Sequence, residues 1–460
     1  MNVNGASITI LGAGLTGSLL AVMLAKRGMR VLVIERQADP RVEDTYAGRS
    51  INLAMAARGL NGLRHAGLED AVAELLYPMC GRLLHPLDGP TQFQPYGSRT
   101  HEINYSVSRA ELNRVLLDAA EKAGAEIRFA QRCVQYDPEK QQLRLEDQRA
   151  APVFAYTLEV PRIIAADGAG SPVRRALGRL PGFEFEERLL DHLYQEIAVP
   201  PASGEFAMRP DALHIWPRGG YMLIALPNPG GDFTGTLFMR KHAPVDEPSF
   251  DWWQDKKKAH RWFSETFPDV PPMVPDLPAQ LANNPTGVMG TVRCNRWNLS
   301  DQVLLIGDAA HAIVPFHGQG MNAAFEDCVE FDKLLEDASD WRELFDRFSR
   351  LRVPNANAIA TMALENYVEM RDTVRDPKFH LKKSLAFELE RRLPECFIPR
   401  YSMVMFHESI PYAVALARGE TQSDLLSQWT HDHESLDSID IAKCVEAAQA
   451  ALPRLELGSM

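Results

Sequence analysis

None of the six cysteines, Cys80, Cys133, Cys294, Cys328, Cys396 and Cys444, stands in a C-x-x-C pair or at metal-ligand spacing. That excludes a disulfide scaffold and a zinc ribbon, and a reducing, cytoplasmic setting is expected. No run of about 18 uncharged apolar residues occurs, and even Ile410 to Ala417 is too brief to cross a bilayer. The apolar stretch from Ile8 is interrupted by Gly12, Gly14 and Gly17, which suits a strand entering a turn and not a secretion signal. A soluble protein with no membrane partner is therefore expected. A basic surface is missing too: the net charge of -12 disfavours nucleic acid and anionic lipid, and the one cluster, Lys256-Lys257-Lys258, reads as a solvated helix face. There is no G-x-S-x-G elbow for a serine hydrolase. His311 and His317 have no Cys or carboxylate ligand set around them in the sequence, so no metal is assigned. Internal repeats and low-complexity segments are absent as well.

What remains is ordinary globular material, 45% hydrophobic and 24% charged, in a chain of 460 residues. That is too long for one compact core, so two or three structural units are expected. Residues 8 to 34 form a βαβ pattern: Ile8-Thr-Ile-Leu11, a glycine turn, an apolar helix through Leu24, then Val31-Leu-Val-Ile34. Ser108 to Ala123 has helical periodicity, with Ser108 and Glu111 as a capping box. A buried-type strand from Arg162 to Ala166 ends at Asp167-Gly168, and Ser171-Pro172 caps a further helix.

Between Leu213 and Met239, short β-type runs alternate with turns, as antiparallel hairpins do. Val303 to Ile306 then returns the chain to the first sheet, and from Asp340 onward the pattern is helical, with breaks at Pro377, Pro394 and Pro399. The expected class is α/β in a multidomain α+β arrangement. A discontinuous Rossmann-like domain spans 1–180 and 290–340. An inserted antiparallel β-sheet substrate domain spans 181–289, with parts of 45–105 lining its pocket, and a helical domain covers 341–460.

Gly12-Ala-Gly-Leu-Thr-Gly17 lies between strand and helix, where glycines permit a tight turn and close approach of backbone to a pyrophosphate. Glu35 ends the next strand, where a carboxylate accepts hydrogen bonds from an unphosphorylated adenosine ribose. FAD or NAD is thus preferred to NADP at this position. A tight turn with a solvated Glu35 is the competing reading, and the complete βαβ setting weighs against it. Arg109, in the first turn of its helix, opposes the helix dipole, which suggests an anionic partner; an ordinary exposed arginine is the alternative. Gly307-Asp308-Ala-Ala-His311 follows a strand, and Val314-Pro-Phe-His-Gly-Gln-Gly-Met-Asn322 opens a helix. An aspartate so placed accepts hydrogen bonds from ribityl hydroxyls, and the glycine-rich helix start aims N–H groups at a flavin pyrimidine.

Together these motifs resemble the class A flavoprotein monooxygenases. Gly48-Arg-Ser-Ile-Asn-Leu53, Gln94-Pro-Tyr-Gly97, Leu364 to Met370 and Phe397 to Met403 narrow the resemblance to the soluble bacterial kynurenine hydroxylases of that group. The resemblance spans nearly the whole chain. It implies FAD contacts at Gly12, Gly14, Leu15, Gly17, Glu35, Arg36, Ala54, Arg109, Asp308, Gly320, Met321 and Asn322. It places the substrate carboxylate on Arg82 and Tyr96, and the amino-acid end of the pocket on Asn366 and Tyr401, with Met370 as a further substrate-binding residue. Phe238, Phe316 and His317 would flank the aromatic ring, with Phe316, His317 and Gln319 in the catalytic segment. Cys80 and Met55 depart from the pattern without touching any of these positions.

The same resemblance implies kynurenine hydroxylated at carbon 3 through a C4a-hydroperoxyflavin, NADPH as a transient co-substrate and O2 as the oxidant. It leaves room for a homodimer. The competing expectations are a hydroxylase of another aromatic acid or a substituted kynurenine, and a flavin-free prenyl-protein binder on the same fold.

Overall fold

A computed structural model of the protein describes residues 5–43, 52–97, 99–371 and 377–455. Gly48, Arg49, Ser50 and Ile51 lie outside the described residues. The chain divides into two compact units: 1–76, 107–190 and 289–360 in the first, and 77–106, 191–288 and 361–460 in the second.

The first unit is organised by a six-stranded sheet in the order Asn298–Leu299, Val303–Leu305, Ile163–Ala165, Ser7–Leu11, Arg30–Ile34, Glu126–Arg128. All of its pairings are parallel except the short edge pair of Asn298–Leu299 with Val303–Leu305. Ile163–Ala165 and Val303–Leu305 are wholly buried, as expected of aliphatic runs with both sheet faces covered. Helix Leu15–Lys26 is apolar almost all round and buries every residue from Leu15 to Ala25 except Thr16. It packs on helices Arg109–Lys122 and Gly320–Asp337. Ser108 caps the first of these by accepting the Glu111 N–H at 3.4 Å, whereas the Glu111 carboxylate pairs with Arg114. Ser171 likewise caps Pro172–Leu177, accepting the Arg174 N–H at 3.0 Å, with proline in the first turn. Because Ser7–Leu11 and Val303–Leu305 run parallel in one sheet, the loops that follow them leave at the same carboxyl edge, where open α/β sheets bind ligands.

The second unit has its own sheet. His192–Val199 pairs with Phe233–Arg240, followed by Met222–Pro227, Ala212–Pro217, Gly81–Leu84 and Gln92–Pro95. The hairpins expected from Leu213 onward are there. Gly81–Leu84 joins them as a parallel strand beside Ala212–Pro217, with Arg82 opposite Leu213. One sheet face packs Trp216, Phe233 and Leu237 against Phe263 and Phe267.

The C-terminal helices of this unit start where proline allows. Pro377 opens Pro377–Arg392, Pro399 precedes Arg400–Phe406 and Pro411 precedes Tyr412–Thr430, positions at which a missing N–H breaks no helical bond. Leu385, Leu389, Phe397 and Ala448 form their core. Among the described residues, no helix is long and apolar enough to cross a membrane.

Candidate active site

In the first unit the glycine turn divides its labour. Gly12 has φ 104°, and a Cβ there would collide with the Ala166 carbonyl; at Gly17 it would collide with the Gly12 carbonyl. These two glycines permit close packing. At Gly14, a Cβ would meet nothing within 4 Å, so its empty side faces open space at the start of helix Leu15–Lys26. Among the described residues, that helix has no side-chain cap, and its first turn carries no acidic residue. An open, uncapped helix start is an anion cradle, and a pyrophosphate fits it.

The Glu35 carboxylate bridges this turn, accepting the Ala13 N–H at 2.7 Å and the Gln37 N–H at 2.8 Å. It is only half-buried, and among the described residues it accepts no further bond, which suits ribose hydroxyls. We expect Gly14→Ala to cut bound FAD severalfold while leaving the melting temperature of the apoprotein unchanged. Gly12→Ala should lower that melting temperature itself. Flavin absorbance and thermal unfolding of the apoproteins check both outcomes, and equal melting losses would deny Gly14 a ligand role.

The second segment meets the first. Gly307 adopts φ 59°, and a Cβ on it would lie 2.9 Å from the Thr16 hydroxyl of the glycine turn. Cys328 Sγ donates to the Thr16 carbonyl at 3.5 Å. Asp308 is exposed at the start of the short helix Asp308–His311. Beneath it lies a buried charge network that sequence inspection did not single out. Asp327 accepts the Gly307 N–H at 3.2 Å, His311 Nε2 at 2.6 Å and Arg352 Nε at 2.7 Å. Arg352 also pairs with Glu326 at 2.7 Å, and Glu326 with the buried Arg58 at 2.9 Å. Burial by itself would raise the Asp327 carboxyl; His311 and Arg352 overturn that and hold it below the ordinary carboxylate range. The available signal was a lone Asp on an otherwise apolar helix face beside Ala323, Ala324 and Phe331.

Helix Gly320–Asp337 begins with Gly320, Met321 and Asn322, whose N–H groups precede its first i to i−4 bond, from Ala323 to Gln319 at 2.8 Å. The Asn322 side chain is fully used inside the protein. Its oxygen accepts the Ala56 and Gly59 N–H groups, and its amide donates to the Ala54 and Gly318 carbonyls. Toward a flavin it therefore offers backbone, and its side chain holds the Ala54 strand against the helix start.

Leu15 is buried, so it too offers only backbone, while Arg36 and Arg109 are exposed. Arg109 makes no ion pair among the described residues. Phe316, His317 and Gln319 are buried in the turn between the two helices, which Gly318 closes at φ 65°. Burial pushes the Asp167 carboxyl up to about 6, opposed by Ser171 and Arg174.

The second unit holds a cavity of about 350 Å³. Arg82, Tyr96 and Tyr401, far apart in sequence, line it together with Glu369. The Arg82 guanidinium lies 4.7 Å from the Tyr401 ring centroid and 3.8 Å from Glu369, and the Tyr96 and Tyr401 rings stack at 5.9 Å. Asn104 Nδ2 donates to the Tyr401 hydroxyl at 3.4 Å. Arg82 is only 7% exposed, and its buried Nε has no hydrogen-bond partner among the described residues, so one face of this cation awaits an acceptor. Burial raises the Tyr96 and Tyr401 phenols, although Arg82 opposes it, so both remain neutral donors. Asn366 and Met370 touch each other at 3.3 Å on the helix that carries Glu369. Phe238 is buried beside Tyr194 in the sheet and is not part of this cavity's wall.

Two glycine-rich helix starts and two carboxylates gathered at one sheet edge suit a dinucleotide bearing both a ribose and a ribityl chain. The first unit accordingly has the architecture of an FAD-binding protein. The family model described as "FAD binding domain" matches residues 6–363. Kynurenine 3-monooxygenase of Stenotrophomonas maltophilia (strain K279a) is 46% identical over 451 residues, 98% of each chain. Its counterpart in Xanthomonas axonopodis pv. citri (strain 306) is 45% identical over 455 residues, 99% of each. Among solved structures, the tetrameric form of 2-methyl-3-hydroxypyridine-5-carboxylic acid oxygenase superposes with a TM-score of 0.64 at 19% identity, covering 81% of this chain and 94% of that one. The chain belongs to the kynurenine 3-monooxygenase family.

Proposed function

We propose that this chain is an FAD-dependent, NADPH-consuming monooxygenase that hydroxylates L-kynurenine at carbon 3 to give 3-hydroxykynurenine. The observation that carries the reading is the buried, half-satisfied Arg82 in a cavity with two neutral phenols, which suits the carboxylate of an amino acid. Bound FAD, reduced by NADPH, supplies the oxygen activation. The protein's share is position and dryness. Arg82 grips the substrate carboxylate, the Tyr96 and Tyr401 hydroxyls donate to it, Asn366 stands at the amino-acid end, and Met370, in contact with Asn366, is a further substrate-binding residue. Phe238, Phe316 and His317 flank the ring, and Gln319 belongs to the same catalytic segment. The substrate's aniline nitrogen, ortho to carbon 3, supplies the electron density, so no strong general base is required.

Gly12, Gly14, Gly17, Glu35 and Arg109 hold the adenosine and pyrophosphate of FAD, and Asp308, with the N–H groups of Gly320 to Asn322, holds the flavin end. The division into a discontinuous FAD domain, a β-sheet substrate domain and a helical C-terminal domain forms part of this reading.

The test is to incubate the FAD-loaded chain with NADPH, air and a panel of kynurenine, substituted kynurenines and other aromatic acids. Kynurenine is expected to give a product one oxygen atom heavier, with hydroxylation at carbon 3, and faster than the rest of the panel. NADPH oxidation without a hydroxylated product, or preference for another acid, would reject it.

A further inference from the structure

The same cavity receives a residue with no role so far. Helix Pro377–Arg392 turns Lys382 and Lys383 toward it, and Lys382 is engaged, donating to Ser427 Oγ at 2.9 Å. Lys383 is not. Its ammonium sits 5.6 Å from the Phe387 ring centroid and forms no ion pair among the described residues. Burial pushes its amine down to about 8; the Arg82 charge adds to the push and Glu369 opposes it. Arg400 is matched by Glu365 at 2.6 Å. Among the described residues, that leaves Arg82 and Lys383 facing a cavity whose lining holds a single carboxylate, Glu369, and an anionic ligand suits that balance.

We propose that Lys383 is a second cation of the carboxylate subsite and makes the cavity selective for anionic amino-acid substrates. This rests on the reading of the cavity as the place where kynurenine's carboxylate is held. Among the described residues, the titratable groups lining the cavity with Lys383 are Arg82 and Tyr96 from the sheet side, Glu369 from helix Trp341–Arg371, Lys382 from its own helix, and Arg400 and Tyr401 from Arg400–Phe406. Helix Tyr412–Thr430 adds Gln422 and Ser423, which do not titrate. A bound carboxylate favours the charged form of Lys383. Affinity is therefore greatest while the amine is protonated and declines as pH rises through about 8.

The experiment measures equilibrium binding to the FAD-loaded enzyme, through the flavin absorbance, of L-kynurenine and of kynuramine, its counterpart lacking the carboxylate. Wild type, Lys383→Met and Lys383→Arg are compared from about pH 7 to about pH 9, a range centred on the depressed amine. Lys383→Met is expected to weaken kynurenine roughly tenfold while leaving kynuramine nearly unchanged, and Lys383→Arg to restore it. The preference of the wild type for kynurenine should fall with rising pH, and in both variants it should stay level. Equal losses for the two ligands, or none, would overturn the proposal, and native flavin content and melting temperature in Lys383→Arg exclude misfolding as the cause. Should the wild type fail to hydroxylate kynurenine, the functional reading itself has failed. Hydroxylation by the wild type with unaltered binding in Lys383→Met removes only the role of Lys383.

Discussion

Arg82→Met is expected to raise the KM for kynurenine by about three orders of magnitude, with FAD content unchanged. Methionine replaces the volume of the side chain but not its charge, so the variant reports on ligand recognition more than on packing. The loss is large because the guanidinium is almost fully buried, already stacked on Tyr401, and carries an Nε without an acceptor among the described residues. Its orientation is set before the ligand arrives, and little entropy is lost on binding. Removing it also leaves Glu369 facing the cavity without its partner at 3.8 Å, so the carboxylate would meet repulsion where it had met attraction.

Arg82→Lys should recover only part of the affinity, because an ammonium lacks the planar fork that two carboxylate oxygens can share. The first unit holds the glycine turn, Glu35 and Asp308, so flavin should stay bound in either variant. Steady-state kinetics together with the flavin-to-protein absorbance ratio check this. An unaltered KM would remove Arg82 from the site.

Asp327→Ala should cost about 3–5 kcal/mol, the usual penalty for stripping one partner from a buried ion pair. Arg352 and His311 would lose their shared acceptor, and the Gly307 N–H would lose the bond that holds its left-handed backbone in place. The expected outcome is a melting temperature lowered by several degrees and loss of FAD on gel filtration, since the loop bearing Asp308 rests on this network. Asp327→Asn should fall between the two. It keeps an acceptor for the glycine N–H but no longer offers His311 and Arg352 a charge. Melting curves with and without added FAD separate the contributions, and a flavin-saturated Asp327→Ala protein with the wild-type melting temperature would contradict this account.

Legibility in the sequence followed the range of the interactions involved. The strands at Ser7–Leu11 and Arg30–Ile34, the glycine turn and the caps at Ser108 and Ser171 have causes lying within a few residues, and all were readable. So were the hairpins after Leu213, although Gly81–Leu84 was not. Gly-Arg-Leu-Leu has no alternation of its own and becomes a strand only by pairing with Ala212–Pro217. Pro377 and Pro399 read as breaks, and they prove to be the places where new helices begin. One site residue gained a meaning the sequence did not show: the Asn322 side chain serves the protein's own backbone.

By itself, the order of residues determined the βαβ unit and the class of cofactor, because backbone geometry and a glycine turn at a strand end are local properties. Only the tertiary structure decided that Asp327 would meet Arg352 and His311, and that Arg82, Tyr96, Tyr401 and Lys383 would share one hollow. Those outcomes depend on which distant groups exclude water together, and burial is a property no single segment possesses.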